Sequence, residues 1–244
     1  MKKQCILLFG ILSMLTFAEI NIYGPGGPGP AINEIVEVIK KEKNYDINLK
    51  IGFLDMWMSE AEKNGDIIIS GSQYMMNNFA EKLQNIDKKT ITGIKFREGG
   101  ILVREGNPKN IKSVKDLGKE NVKIIVMDSL GQISLWEDIV GKENDIDLIN
   151  KVRQNINYFS KSGAKAIKKW TEDKTIDAVI IWKPWQDRFK NSSFIELDRN
   201  NKVLRPSMIS LTEQGKNNPE AVEIYKEILS NKYDEIWEKH GWYK

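Results

Sequence analysis

The sequence predicts an α/β protein built as two lobes, for three reasons. Strand–loop–helix units follow one another three times within the first eighty residues. The apolar run at residues 66–70 (DIIIS) has the character of a strand buried on both faces of a parallel sheet, with a further apolar strand at 122–127 (VKIIVM) and a buried one at 176–182 (IDAVIIW). Two long extended stretches, residues 90–104 and 202–211, are not followed at once by a helix, and these are the expected crossings between lobes.

The first unit is residues 20–35, INIYGPGGPGPAINEI. Ile20 and Ile22 alternate with Asn21 as in a strand, and residues 23–30 form a tight glycine–proline loop. Ala31, Ile32, Ile35, Val36 and Ile39 then set a helical stripe. A loop of this kind turns the unpaired N–H groups of a helix N-terminus outward, and the helix dipole favours an anion there. Gly26 and Gly27 have no Cβ to hold a ligand off the backbone, although a sharp turn alone would use them as well. The second unit is a strand at 47–51, ended by Gly52, with loop and helix in residues 53–65. The third is the strand at 66–70, the Gly71–Ser72 turn and a helix over 73–83.

The pattern then changes. Residues 90–104 are extended and broken by Gly99–Gly100. A short amphipathic segment at 113–117 leads to the strand at 122–127, the loop DSLGQ and a helix over 133–141. A strand at 156–159, a helix over 164–171 and the strand at 176–182 follow. Residues 194–197 and 202–211 are extended, and helices close the chain at 220–229 and 233–240. The closing helices are expected to pack back on the first lobe. Lobe 1 is then residues 19–98 with 207–244, and lobe 2 is residues 99–206.

Residues 1–18 read as a signal peptide: Lys2 and Lys3, an apolar core at 6–17, and Thr16-Phe17-Ala18 before the expected first mature residue, Glu19. The apolar run is too short to span a membrane. The protein is therefore expected to be exported, to the periplasm or the cell surface. Removing the leader from 244 residues leaves 226 without cysteine, because Cys5 is the only one. Disulfides, cysteine nucleophiles and thiolate metal sites are then excluded. His240 is the single histidine, so a histidine-cluster metal site is excluded too. The formal net charge falls from +3 to +1 with the leader, which provides no basic field for nucleic acid. No cofactor is expected.

Ligands of open α/β sheets sit beyond the carboxyl ends of the strands. Those ends supply Gly26 and Gly27, Trp57, Ser70 and Ser72, Gln132 and Ser134, Ser162, and Lys183. Several helix N-termini converging on one cleft would bind an oxyanion or carboxylate. Each serine has the alternative of capping its own helix. Arg97, just before the Gly99–Gly100 break, can fork onto a carboxylate or phosphate, or can instead pair with a neighbour such as Glu98. The seven tryptophans are core residues by default, with Trp57 and Trp182 placed to wall the cleft. Enzymatic signatures are missing: GPGGPGP lacks the ending of a phosphate-binding P-loop, and there is neither a serine–histidine pair nor a nucleophile elbow. The chain is read as a non-enzyme.

Taken together, IYGPGGP, DIIISGS, FREGGILVREGNPKNIKSVKDL, LWEDIVG and IDAVIIW resemble exported solute-binding proteins of the accessory colonization factor C group. That group lies in the molybdate/sulfate-like branch of the type II periplasmic binding proteins. The likeness runs over about residues 20–242. It implies a Venus-flytrap fold, a small anionic ligand in the cleft between lobes, and delivery to the membrane subunits of an ABC importer. Some relatives are surface antigens or colonization factors. Some look like homodimers that hold citrate or a phosphorylated three-carbon acid. This chain departs in two places. The loop DSLGQIS is short, and the helix after Ser162–Gly163 carries Lys165 where relatives are expected to carry an arginine. The resemblance leaves sulfate-like, molybdate-like, citrate and phosphorylated-acid ligands open. A surface adhesion factor on the same fold is the alternative role.

Overall fold

The strand β4, Thr92–Arg104, runs through both halves of the computed structural model, which describes residues 19–129 and 131–243. The leader at 1–18 lies outside the described residues. The first part of β4 pairs antiparallel with β9 (Leu204–Leu211), from Thr92↔Ile209 to Glu98↔Leu204. From Gly99 onward it pairs antiparallel with β7 (Ala178–Trp182), ending at Val103↔Ala178. One curled sheet therefore serves two lobes, with strand order β2 (Ile47–Ile51), β1 (Ile20–Gly24), β3 (Ile67–Ser70), β9, β4, β7, β5 (Ile124–Met127) and β6 (Ile156–Ser160).

In the first lobe, β1 (Ile20–Gly24) lies between the parallel strands β2 (Ile47–Ile51) and β3 (Ile67–Ser70). In the second, β5 (Ile124–Met127) lies between the parallel strands β6 (Ile156–Ser160) and β7. A short β8 (Ser192–Ile195) covers the far end of β4. A two-residue β10, Trp242–Tyr243, pairs with β4 opposite Arg97 and Phe96. Neither β10 nor the helix α5 (Ile146–Asn155) is legible in the sequence pattern.

Apart from the helix at Ile146–Asn155, the helices form where the sequence pattern expects them. Helix α1 (Gly29–Lys43) has Pro30 in its first turn, where a missing N–H costs nothing. It buries Ala31, Ile32, Ile35, Val36 and Ile39, roughly 1.5–3 kcal/mol for each large side chain. It ends at Asn44, which takes the left-handed conformation. Together with α7 (Pro219–Leu229) and α8 (Asp234–Lys239), α1 packs on one face of the first-lobe sheet. Helices α2 (Met58–Asn64) and α3 (Gln73–Lys82) pack on the other.

The second lobe has α4 (Leu135–Val140) and α5 (Ile146–Asn155) on one face and α6 (Gly163–Glu172) on the other. The N-terminus of α5 is fixed by Asp145, whose carboxylate accepts from Leu148 N at 3.0 Å. No described helix is long and apolar enough to cross a membrane.

Candidate functional site

Each lobe builds the same turn at the end of a strand. In the first lobe, Ser70 Oγ donates to the Ser72 carbonyl at 2.9 Å, and Ser72 Oγ accepts from Met75 N at 3.2 Å, capping α3. In the second, Ser160 Oγ donates to the Ser162 carbonyl at 2.8 Å, and Ser162 Oγ accepts from Lys165 N at 3.3 Å, capping α6. The two turns carry two helix N-termini to a cavity of about 680 Å³ between the lobes. Its first-lobe wall is the Pro25–Gly27 loop after β1, the Phe53–Met56 turn after β2, and Gly71 with Met75. Its second-lobe wall is Met127, Ser129, Gly131 and Gln132 after β5, Ser162 and Gly163 after β6, and Trp185 and Arg188 after β7. Arg97 enters from β4. These are the carboxyl ends of the strands, where such sheets hold ligands.

Arg97 is 2% exposed. Its Nη2 donates to the Gly131 carbonyl at 2.7 Å, and its Cζ lies 4.3 Å from the ring centroid of Trp182. Its Nε has no hydrogen-bond partner among the described residues. Burial, and to a lesser degree the nearby charge of Arg205, draws its pKa down to about 9, so it remains charged at neutral pH. The alternative pairing with Glu98 does not occur. Glu98 instead faces Lys202, 3.1 Å away, and accepts from the Tyr243 hydroxyl at 3.0 Å.

Arg188 approaches from the opposite lobe. Its Nη2 donates to the Gly26 carbonyl at 2.7 Å, and its Cζ lies 4.2 Å from the Trp185 ring centroid. Burial lowers its pKa as well. Among the described residues no carboxylate pairs with Arg97 or Arg188. Four cations, Lys82, Arg97, Lys161 and Arg188, line the cavity against one carboxylate, Asp55. Lys161 pairs with Asp128. A buried cation that lacks an acid is costly unless a ligand supplies one, and guanidinium presents paired donors to a carboxylate or phosphate.

Of the residues expected from the sequence, Gly26, Gly27, Arg97, Gln132 and Ser162 line the cavity. Gln132 is buried, and its Oε1 has no hydrogen-bond partner among the described residues. Five others do not line it. Trp57 is a core residue, 1% exposed, stacked 5.9 Å from Tyr23 and set edge-on to Phe79 at 5.3 Å. Its Nε1 reaches only the Gly52 carbonyl, at 3.3 Å. Ser70 and Ser72 are buried in the turn hydrogen bonds given above.

Ser134 sits at φ +59° on a separate cavity of about 250 Å³, beside Trp136, Glu137 and Arg153. Lys183 forms an ion pair with Glu196. Lys165, where relatives are expected to have arginine, is exposed and outside the cavity lining. Arg188 and Trp185 line the cavity although the strand-end pattern does not single them out. Their only sequence signal is WKPWQDR immediately after a buried strand, two aromatics and an arginine at a strand exit.

Two α/β lobes joined by shared strands, with an acid-poor, arginine-lined cavity between them, define a solute-binding protein of the periplasmic type. The chain belongs to the family of bacterial extracellular solute-binding proteins, which it matches over residues 20–243. Its two-lobed fold is the one that molybdenum- and sulfate-binding proteins also have.

Among solved structures it is similar to Peb3 from Campylobacter jejuni, with 27% identity and a TM-score of 0.83 over 92% of this chain and 99% of that one. PEB3 bound to L-phospholactate gives 28% identity and a TM-score of 0.84 over the same shares. The substrate-binding domain of a putative molybdenum ABC transporter from Clostridium difficile has a TM-score of 0.73 at 18% identity, over 93% of this chain and 98% of that one. The sulfate-binding protein SubI from Mycobacterium tuberculosis H37Rv also gives 0.73, at 16% identity over 92% and 86%. These last two share the fold. No curated protein matches the sequence.

Proposed function

We propose that this protein is exported, captures a small organic anion bearing a carboxylate or phosphate between its lobes, and delivers it to an ABC importer. The observation that carries this reading is the pair of arginines, Arg97 and Arg188, brought into one cavity from opposite lobes without a carboxylate partner. The two capped helix N-termini add partial positive charge to the same space. Support for the importer comes from the family, and support for export from the leader read at residues 1–18. The L-phospholactate bound by PEB3 makes a phosphorylated acid the first ligand to try. In this reading lobe 1 is residues 19–98 with 207–244, lobe 2 is residues 99–206, and the crossings act as hinges. The family description favours transport over surface adhesion as the main role. The test is a thermal-shift panel of sulfate, molybdate, citrate and L-phospholactate, with glycerol as the neutral control. At least one anion should raise the melting temperature. A panel in which no anion acts differently from glycerol contradicts the reading.

A further inference from the structure

The two ends of the cavity differ in chemistry. At its closed end lies Arg97, 2% exposed, with Gly71 and Gly131 against its guanidinium. At its open end lie Phe53, 65% exposed, and Met56, 60% exposed, two large apolar side chains left facing solvent. Between them the first lobe contributes the apolar side chains Ile51, Leu54, Met75 and Phe79 to the wall, alongside Asp55, Asn78 and Lys82. Met75 reaches across toward the second lobe. Its Cε lies 3.0 Å from where a Cβ on Gly131 would sit.

A cavity of about 680 Å³ falls in the roughly 300–1,000 Å³ range of sites for organic molecules, well beyond what a four-oxygen ion fills. An anion hydrophilic on every side, pressed against Leu54, Met56, Met75 and Phe79, would leave the oxygens on that side without partners. A ligand with an apolar end would instead remove Phe53 and Met56 from water.

From this polarity gradient we propose that the ligand is an amphipathic anion: a carboxylate or phosphate head at Arg97 and Arg188, and an aliphatic or aromatic tail along Phe53, Met56 and Met75. This rests on the anion-binding reading and specifies its substrate class. The methionines, unbranched and polarizable, adapt to tails of differing shape. Phe53 and Met56 are thus specificity-determining residues.

The experiment is calorimetric titration of the full chain with two homologous series. One is inorganic phosphate with methyl, propyl and pentyl phosphate; the other is acetate, butyrate and hexanoate. Each added methylene that leaves water should raise affinity about two- to fourfold in whichever series binds. The double variant Phe53→Ala, Met56→Ala should lose most of that dependence, and its exposed positions let it fold. Affinity that is flat or falls with chain length, yet still requires Arg97, overturns this inference alone. A dependence that survives the double variant also overturns it. If no member of either series binds, the anion-binding reading falls and this inference with it.

Discussion

Arg188 Nη2 donates to the Gly26 carbonyl at 2.7 Å, and this hydrogen bond joins the two lobes at the wall of the cavity. The arginine follows β7 in one lobe, and the carbonyl belongs to the glycine loop after β1 in the other. A ligand anion would meet the remaining guanidinium donors with the lobes already held together. Substituting Arg188→Lys keeps the charge and loses the fork. One charge-assisted hydrogen bond contributes about 1.5–3 kcal/mol, so affinity for the tightest anion of the panel should fall roughly ten- to a hundredfold. Calorimetry measures this directly, and an Arg188→Lys protein that binds as wild type would remove Arg188 from the site.

Arg97→Met is expected to separate binding from stability. Methionine keeps an unbranched apolar stem, gives up the guanidinium that lies 4.3 Å from the Trp182 ring centroid, and removes a buried cation that has no acid partner among the described residues. The Gly131 carbonyl keeps a donor, because Trp182 Nε1 lies 3.0 Å from it. The melting temperature without ligand should therefore hold or rise, while affinity falls about a hundredfold or more. A variant with lower stability and unchanged affinity would make Arg97 a structural residue.

Gly163→Ala tests the support beneath Arg188. A Cβ on Gly163 would fall 2.2 Å from Trp185 Cζ3, so the indole must move. Arg188 stacks on that indole at 4.2 Å. Affinity for the same anion should drop about tenfold, by loss of aim rather than loss of charge. Equal affinity in wild type and variant would show that Trp185 does not position Arg188.

Asp116 supplies a pH-dependent part of the stability. Burial alone would raise its pKa. Hydrogen bonds from Lys119, from the N–H groups of Lys112 and Ser113, and from the Ser113 hydroxyl outweigh that and hold it at about 2. A carboxylate whose pKa is lower in the folded than in the unfolded chain stabilises above the unfolded value, near pH 4, and loses that contribution as pH falls toward 2. Discounted for partial exposure, the contribution is about 1–2 kcal/mol. Urea unfolding of Asp116→Asn should show that deficit at pH 7 and a smaller one at pH 3. A deficit equal at both values would assign the effect to packing.

The legible and illegible parts of this molecule divide along physical lines. Strands buried on both faces, such as Ile67–Ser70 and Ala178–Trp182, announce themselves as unbroken apolar runs. The glycine loop and the Gly99–Gly100 change of partner are visible because glycine and interrupted periodicity mark the backbone directly. Helix α5 escaped because DIDLINKVRQN buries only Leu148 and Val152, too narrow a stripe to read.

At the site, strand ends indicated the neighbourhood but not which side chains face inward. Trp57 and Phe53 share one turn, yet Trp57 goes to the core and the apolar Phe53 to the cavity mouth. Ser70 and Ser72 have the right residue type, but local turn bonds occupy them. Arg188 lies six residues past a strand end, in a turn whose direction only tertiary packing sets.

If Arg97 and Arg188 hold one anion between the lobes, its mass travels with the chain. Native mass spectrometry of the chain, purified without refolding and then mixed with each anion of the panel, tests it most directly by weighing what is bound. The wild type should carry one anion per chain, and the double variant Arg97→Met, Arg188→Met none. A wild-type chain that holds none of the anions, or a double variant that holds the same one, would contradict it.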